Sequence, residues 1–389
     1  MVRRGPRAVH PCPVRRHPFA KLGLPGRPGI AYERNPVGVF GTIASDTHES
    51  VHFGHEPVSG LRTIVAIHST VLGPSLGGTR FYPYATEEEA LVDVLRLSKG
   101  MTYKAACAGL AQGGGKGVII GDPATDANPD LFRAYGRFVE GLAGRYITAE
   151  DVGTTVADME IVATQTSHVS GLSRDRGGSG DPSPATARGV VVAMRAVAAR
   201  LWSTTDLMGR TVAIKGVGKV GMSLAERLHR LGVELIVADV DHAAAAHAAA
   251  EFGAKVVPVG DIHTVTCDIF APCALGADLN PSTIPELACA AVAGCANNQL
   301  ATPEDADRLV ARGILYAPDF VVNAGGIINI AAEHGGYDVN RAATLVDRIF
   351  DNLTETFETA DRLGIGTERA AELIAEERIA AATAKGDTA

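Results

Sequence analysis

The feature that most constrains the fold of this chain is a glycine-rich turn between a short apolar strand and a helix. The pattern predicts a strand over Thr211–Lys215 and a helix over 222–231. Gly232 ends that helix, and a second strand over Glu234–Ala238 ends at Asp239. A strand, a glycine turn, a helix and an acid about 20 residues further on form the arrangement with which parallel sheets bind a dinucleotide.

The turn predicts the positions that would hold the cofactor. It consists of Gly216, Val217, Gly218, Lys219, Val220 and Gly221. The glycines permit a tight turn and close approach of a pyrophosphate, which would lie at the positive end of the helix. Asp239 would accept hydrogen bonds from the adenosine ribose and repel a 2′-phosphate. No arginine follows it closely, so the sequence predicts NAD rather than NADP.

The second half of the chain continues this alternation. Helices are expected at His242–Phe252 and 327–334, and strands at 255–259, Cys267–Pro272, 314–317 and 319–323. Alternation of this kind predicts an open, doubly wound parallel sheet covered by helices. Asn297 and Asn298 fall near the strand ends, where ligands of such sheets bind.

A second informative stretch, residues 101–121, holds two lysines, Lys104 and Lys116. Three glycines precede Lys116 and predict a loop, and a short buried strand is expected at 118–120. Two amines in one pocket repel each other, and burial disfavours their charged forms further. At least one should then titrate below a free lysine, as a general base working near neutral pH requires.

Of two other interpretations of this stretch, the residues are consistent with only one. A glycine-rich turn with a solvated lysine is consistent with these residues taken alone. A phosphate-binding loop is not, because it would need glycine at Leu110 and Ser or Thr at Gly117. It would also need a helix afterwards, where the sequence predicts a strand.

The residues around this stretch predict an α/β arrangement. A strand is expected at 62–68, a glycine-rich connection at 72–80, a helix at 131–142 and a strand at 146–149. Thr86 and Glu89 form a capping-box pattern that opens a helix toward Lys104. Asp151 follows the last strand and is a candidate proton donor, although an ordinary helix N-cap is the alternative.

Length and composition predict two domains and limit the partners. The chain has 389 residues, of which 46% are hydrophobic, enough to fill two cores. A net charge of -8 argues against nucleic-acid and anionic-membrane partners, and no apolar run reaches membrane-spanning length. Six scattered cysteines without a C-x-x-C pair indicate buried thiols in a reducing cytoplasm. No histidine spacing indicates a metal site, so none is expected.

Four segments follow from these patterns. Residues 1–34 are rich in proline, glycine and arginine and predict a disordered extension. Residues 35–180 would form a substrate domain and 181–335 the NAD-binding domain. Residues 336–389 predict helices that return to the first domain.

Taken together, the motifs resemble the amino-acid dehydrogenase family that includes glutamate, leucine, valine and phenylalanine dehydrogenases. Besides the glycine turn, the resemblance rests on PSLGGTR (74–80), KGMTYK (99–104), GGGK (113–116), TAEDVGT (148–154), GDPSPATA (180–187), APCALG (271–276), ANNQL (296–300) and VVNAGG (322–326). The segment TRFYPYA (79–85) is most similar to the branched-chain members, valine dehydrogenase above all.

The resemblance implies a role for each reacting group. Lys104 would hold the substrate carboxylate, Lys116 would be the base that activates water, and Asp151 would exchange protons with the amine. Further positions would contact the cofactor: Arg80, Thr186, Cys273, Ala274 and Asn297, the last also near the substrate. The side-chain pocket would be formed by Leu76, Gly77, Met101, Ala149, Ile327 and Ile330.

These assignments predict reversible, NAD-dependent oxidative deamination of branched-chain L-amino acids to 2-oxo acids and ammonium, with L-valine as the best candidate. Leucine or phenylalanine dehydrogenase activity is the alternative within the family, and a catalytically inactive NAD-binding sensor is the alternative outside it. A homo-oligomer is expected. Three residues depart from the family pattern: Ala105, Gly117 and Lys215.

Overall fold

The computed structural model describes residues 47–274, 276–333 and 336–386. The predicted disordered extension, residues 1–34, lies outside the described residues.

The first half of the chain forms a five-stranded mixed sheet flanked by helices. Its strands are β1 (Ser50–Glu56), β2 (Leu61–Ser69), β3 (Ser75–Tyr82), β4 (Gly113–Ile120) and β5 (Tyr146–Glu150), in the order β1-β2-β4-β3-β5. The helices are α1 (Glu87–Cys107), α2 (Pro129–Glu140) and α3 (Val156–Val162). Strands β3, β4 and β5 run parallel to one another, and β2 is antiparallel to β4. The carboxyl ends of the three parallel strands therefore meet at one edge of the sheet.

Two glycine-rich segments that were expected to be a loop and a connection are central strands. The prediction of a loop at 113–116 is wrong because these residues begin β4. The prediction of a connection at 72–80 is wrong because most of these residues form β3. The glycines are needed for close packing. A Cβ on Gly113 would overlap the carbonyl oxygen of Ser69, and one on Gly114 would overlap the backbone nitrogen of Thr102. Glycine here lets β4 lie directly against β2 and α1.

Helix α1 begins at the predicted cap. The Thr86 hydroxyl accepts a hydrogen bond from the Glu89 N–H at 3.1 Å, while the Glu89 carboxylate accepts from the N–H of Ala85 at 3.0 Å. The returning bond of the capping box thus goes one residue upstream of the cap. The helix then runs for 21 residues and presents Met101 and Lys104 near its carboxyl end.

The second half forms a six-stranded sheet in which every pair of neighbours is parallel. Its strands are β6 (Thr211–Lys215), β7 (Glu234–Ala238), β8 (Lys255–Val256), β9 (Cys267–Pro272), β10 (Cys289–Val292) and β11 (Leu315–Tyr316). The accompanying helices are α4 (Ser183–Trp202), α5 (Lys219–Arg230), α6 (His242–Phe252), α7 (Glu304–Ala311), α8 (Asp319–Val322) and α9 (Gly325–Ala331). The order β11-β10-β9-β6-β7-β8 is that of a doubly wound dinucleotide-binding sheet, which confirms the predicted fold class.

Several details of this half differ from the sequence predictions, among them the strand expected at 255–259, which covers only Lys255–Val256, and the helix expected at 327–334, which is Gly325–Ala331. Residues 319–322 form helix α8, so the strand expected at 319–323 is wrong. Pro318 fixes its own φ at -55° and Asp319 occupies the first helical turn, a combination that favours a helix start over a strand. The helix after the glycine turn starts at Lys219 instead of 222. Strand β10 was not predicted.

Three C-terminal helices complete the chain: α10 (Val339–Asp347), α11 (Ile349–Leu363) and α12 (Thr367–Gly386). Helix α12 packs on α1, as predicted for helices that return to the first half, but α10 and α11 pack on α4 of the second half, so the prediction is wrong for those two helices. The Cys107 thiol donates to the Ala371 carbonyl at 3.4 Å, and the Arg378 guanidinium donates to the Ala106 carbonyl at 2.9 Å. The proposed domain boundaries stay a prediction. No helix in the described ranges is long and apolar enough to span a membrane.

Candidate active site

A cavity of about 250 Å³ lies between the two halves of the molecule. It brings together many of the predicted site residues: Leu76, Gly77, Met101, Lys104, Lys116, Ala149, Asp151, Thr186, Val220, Asn297, Ile327 and Ile330. The first sheet and α1 supply one wall, and the second half supplies the other from α4, α9 and the segment after β10.

Lys116 and Asp151 form an ion pair inside this cavity. Lys116 lies in the middle of β4 and Asp151 directly follows β5. Strand β3 pairs with both and places Thr79 opposite both Gly117 and Glu150, so the register brings the neighbours Lys116 and Asp151 close together. The Lys116 Nζ is 2.8 Å from Asp151 Oδ2, and only 5% of the lysine side chain is exposed. Burial lowers the pKa of Lys116, and the carboxylate of Asp151 partly opposes that effect. Burial alone would raise the pKa of Asp151, but Lys116 and Arg80 outweigh it and bring the pKa to about 2.

Arg80 holds Asp151 from a second direction. Its Nε donates to Asp151 Oδ2 at 3.1 Å, while its Nη1 donates to Asp93 Oδ2 at 2.9 Å. The Tyr84 hydroxyl also donates to Asp93 Oδ2, at 2.6 Å. Arg80 is thus fixed between two carboxylates, and it orients the acid that Lys116 contacts. Its predicted contact with the cofactor stays a prediction.

Lys104 is held by a polar network in the same cavity. Its Nζ donates to Asn297 Oδ1 at 3.0 Å, and the same oxygen accepts from Asn323 Nδ2 at 3.0 Å. Burial and the neighbouring charge of Lys116 lower the pKa of Lys104 to about 8, although the Asp319 carboxylate opposes the shift. A lysine in this position can offer its amine to an anionic ligand such as a carboxylate.

The glycine turn fits a dinucleotide pyrophosphate. Gly216 has φ +98°, a conformation that L side chains rarely adopt, and a Cβ on Gly221 would overlap the carbonyl oxygen of Gly216. Gly218, at the cap of α5, has open space where a Cβ would stand. These features leave room for phosphates at the helix N-terminus.

Asp239 and the segment after β9 surround the turn. Asp239 Oδ2 accepts from the Val217 N–H at 2.7 Å, which fixes its carboxylate beside the turn. A Cβ on Gly216 would lie 2.8 Å from the Ala274 nitrogen and 2.9 Å from the Cys273 carbonyl carbon. The predicted cofactor residues Cys273 and Ala274 therefore lie against the turn.

Two of the departures from the family pattern have structural explanations. A Cβ on Gly117 would overlap the Tyr135 hydroxyl, so the buried tyrosine requires glycine after Lys116. Lys215, at the end of β6, pairs with Asp278 at 2.5 Å and thereby ties the segment after β9 to the central strand. Nothing in the structure explains the alanine at Ala105, which is fully buried in α1.

Some residues of the cavity were not predicted as site residues: Gly78, Glu150, Pro182, Cys295, Asp319, Phe320 and Asn323. Asp319 is the most informative of these, because its carboxylate acts on the pKa of Lys104. The Pro318–Asp319 pair is a helix-start signal and could have indicated an acid at a helix terminus. Its approach to Lys104 depends on how the two halves pack, which no local pattern contains.

The site combines a buried lysine–carboxylate pair on one lobe with a dinucleotide-binding turn on the other, separated by a cavity with an apolar wall. These features define a two-domain α/β dehydrogenase.

Comparisons with known proteins give the family. The model of the Glu/Leu/Phe/Val dehydrogenase dimerisation domain matches residues 48–168, and that of the Glutamate/Leucine/Phenylalanine/Valine dehydrogenase domain matches 177–255 and 238–385. The chain is 53% identical to a leucine dehydrogenase of Geobacillus stearothermophilus, over 85% of this chain and 90% of that enzyme. It is 49% identical to a valine dehydrogenase of Streptomyces virginiae, over 85% and 94%. The crystal structure of L-tryptophan dehydrogenase from Nostoc punctiforme matches with a TM-score of 0.75 and 44% identity, over 89% of this chain and 99% of that one.

The chain belongs to the Glu/Leu/Phe/Val dehydrogenase family. It is an NAD-dependent amino-acid dehydrogenase, as the sequence motifs predicted.

Proposed function

We propose that this enzyme catalyses the reversible oxidative deamination of branched-chain L-amino acids, with L-valine and L-leucine as the principal substrates. The observation that carries the proposal is the Lys116–Asp151 pair, 2.8 Å apart beside an apolar wall. The sequence favoured valine. Relatives named leucine dehydrogenase and valine dehydrogenase are 53% and 49% identical to this chain. The degree of sequence identity therefore supports leucine and valine about equally as substrates.

The cavity wall supports a small apolar side chain. Leu76, Met101, Ala149, Ile327 and Ile330 supply its apolar surface. Among the described residues that line the cavity, the two lysines are the only cations. Lys104 is assigned to the substrate's α-carboxylate and Lys116 to the base, so neither would pair with a second carboxylate. A substrate with a second carboxylate would therefore bury an unpaired charge at a cost of several kcal/mol, which disfavours glutamate.

Each reacting group has a task that its surroundings support. Lys104 would hold the substrate carboxylate, with Asn297 fixing the lysine from the other side. Bound NAD supplies the acceptor for the hydride that leaves the amino-acid Cα. Lys116, whose pKa burial lowers, would take a proton from the water that attacks the resulting imine. Asp151, held ionised by Lys116 and Arg80, would exchange protons with the amine and the departing ammonia.

Cofactor choice is supported by the second lobe. Asp239 presents a carboxylate beside the glycine turn, where it would accept from ribose hydroxyls and repel a 2′-phosphate. The remaining predicted contacts, from Arg80, Thr186, Cys273, Ala274 and Asn297, belong to the same proposal.

Two further properties belong to the proposal. The family model for residues 48–168 is described as a dimerisation domain, which supports a homo-oligomer built through the first half. Five of the cysteines are free thiols, namely Cys107, Cys267, Cys273, Cys289 and Cys295, and this supports a reducing, cytoplasmic setting.

A substrate panel tests the proposal. The purified enzyme is assayed at alkaline pH with L-valine, L-leucine, L-phenylalanine and L-glutamate, each with NAD and with NADP. The expected result is the highest kcat/KM for valine or leucine with NAD, with overlap between the two, because one methylene changes selectivity by only about 1–3 kcal/mol. A preference for phenylalanine would overturn the substrate assignment. NAD binding without turnover of any amino acid would favour the sensor alternative.

A further inference from the structure

A second cavity, of about 450 Å³, lies beside two helices of the NAD-binding half. Helices α4 and α5 form most of it, and residues of α10 and α11 close one side. Four arginines surround it, and together they are called the arginine pocket here: Arg188, Arg195, Arg227 and Arg230. Among the described residues, it shares no lining residue with the active-site cavity.

The arginine pocket has more positive charge than its ion pairs neutralise. Arg188 binds Asp347 through two hydrogen bonds of 2.7 and 2.6 Å, and Arg230 pairs with Glu226. Within the described ranges, Arg195 and Arg227 form no ion pair. The chain as a whole carries a net charge of -8, so four arginines around one cavity do not reflect a generally basic surface.

Arg227 shows most directly that an acceptor is missing. Its Nε is buried and has no hydrogen-bond partner among the described residues. Burial lowers the pKa of Arg227, the positive charges of Arg188 and Arg230 add to that effect, and the Glu226 carboxylate partly opposes it. A buried N–H donor without an acceptor is costly, and the guanidinium that carries it is partly exposed and lines the pocket, so an anion bound there would compensate its charge.

The base of the pocket is apolar. Val191 and Val192 are buried, and Leu231 and Phe350 pack beside them. A ligand that fits the whole pocket therefore combines an anionic group, which several guanidiniums can bind at once, with an apolar group.

We propose that the arginine pocket is a binding site for a small phosphate-bearing molecule. Its phosphate contacts Arg195 and Arg227, and its apolar part lies on Val191, Val192 and Phe350. Planar guanidiniums match the geometry of phosphate oxygens, and a dianion compensates the two unpaired arginines.

The test measures binding of phenyl phosphate and inorganic phosphate by calorimetry, at constant ionic strength and with NAD saturating the dinucleotide site. Both ligands should bind, and phenyl phosphate should bind more tightly because of the apolar floor. Binding of neither ligand would overturn the proposal. Equal affinity for the two would overturn the part assigned to the floor.

Variants locate the site. Arg195→Gln and Arg227→Gln should each weaken phenyl phosphate binding about tenfold, the usual effect of losing a charged hydrogen-bond donor. Arg195 is exposed, so that variant keeps the test valid if the loss of Arg227 impairs folding. Arg200→Gln is the matched control, because Arg200 lies on the same helix, pairs with Asp361 and is outside the pocket. Equal weakening by Arg200→Gln would show a general charge effect and overturn the site.

Discussion

Lys116 and Asp151 are joined at 2.8 Å where little water reaches either side chain, and Arg80 approaches the same carboxylate oxygen at 3.1 Å. One carboxylate therefore faces two cations. The balance of these three charges decides which group carries a proton, so changes to each should have separable effects on turnover.

Lys116→Ala should abolish turnover while leaving cofactor binding intact. The lysine lies on the substrate side of the cavity and is proposed as the base, a role worth about 10²–10⁴ in rate. The measurement is kcat with valine or leucine, together with NADH binding followed by fluorescence. Turnover close to that of the wild type would remove Lys116 from the base role.

Arg80→Gln should move the acidic limb of the kcat/KM profile to higher pH. The charge of Arg80 lowers the pKa of Lys116, so its removal lets the lysine keep its proton to higher pH. A shift of roughly one pH unit is expected for the loss of a neighbouring charge. Arg62→Gln, which removes an arginine paired with Glu87 on the surface, is the control and should not move the limb. The same profile in both variants would contradict the proposed role of Arg80.

Lys104→Met should stabilise the fold at neutral pH while it removes activity. The pKa of Lys104 is lowered from 10.5 to about 8, so between those values the unfolded chain binds more protons than the folded one. The free energy of unfolding of the wild type should therefore rise with pH from about 8 to 10.5. Below that range the protein bears the full free-energy cost of burying the charged amine. At pH 7 the variant should be more stable by on the order of 2 kcal/mol.

Urea unfolding at pH 7 and pH 10 checks this, with Lys255→Met, at an exposed position on β8, as the control. A Lys104→Met variant that is no more stable than the wild type at pH 7 would show that the amine is well solvated.

Asp239→Ser should relax the preference for NAD over NADP. Removing the carboxylate removes its repulsion of a 2′-phosphate, and the ratio of kcat/KM values should move toward NADP by about 10–100-fold. Asp239→Asn tests the negative charge alone, because the amide oxygen of the asparagine can still accept the hydrogen bond from the Val217 N–H that fixes the side chain. An unchanged ratio in both variants would mean that another residue sets the preference.

Ile327→Ala should favour larger substrates. Shortening this side chain enlarges the apolar wall, so the kcat/KM ratio of phenylalanine to valine should rise by about 10–100-fold. Ile328→Ala is a matched control, because Ile328 is the neighbouring residue, is buried, and does not line the cavity. It should destabilise the enzyme by about 2–5 kcal/mol without changing selectivity. Equal selectivity in the two variants would remove Ile327 from the substrate wall.

Local sequence patterns were sufficient for the first part of the cofactor lobe. Strands β6 and β7 and helix α6 have the predicted bounds, because glycine turns, caps and apolar periods are local signals. The same patterns selected Lys104, Lys116 and Asp151, since an amine after three glycines and an acid at a strand end are unusual in themselves.

What could not be predicted depends on packing between distant segments. The local sequence of Gly113–Lys116 predicts a loop, because glycine runs are uncommon in strands. Glycine is suitable for a strand here because Ser69 and Thr102 lie so close that a larger side chain would not fit. The Arg80–Asp93 contact and the effect of Asp319 on Lys104 likewise join parts of the chain that no spacing relates.

The glycines of β3 and β4 also decide where substrate selectivity can change. A side chain at Gly77 would overlap the carbonyl oxygen of Gly115, so at that point the cavity is bounded by backbone that cannot be trimmed or enlarged by substitution. The opposite wall carries Ile327 and Ile330 on a short helix of the other lobe. Engineering of the substrate wall must therefore use the side chains around this backbone, namely Leu76, Met101 and Ala149 of the first lobe and Ile327 and Ile330 of the lobe that binds the coenzyme.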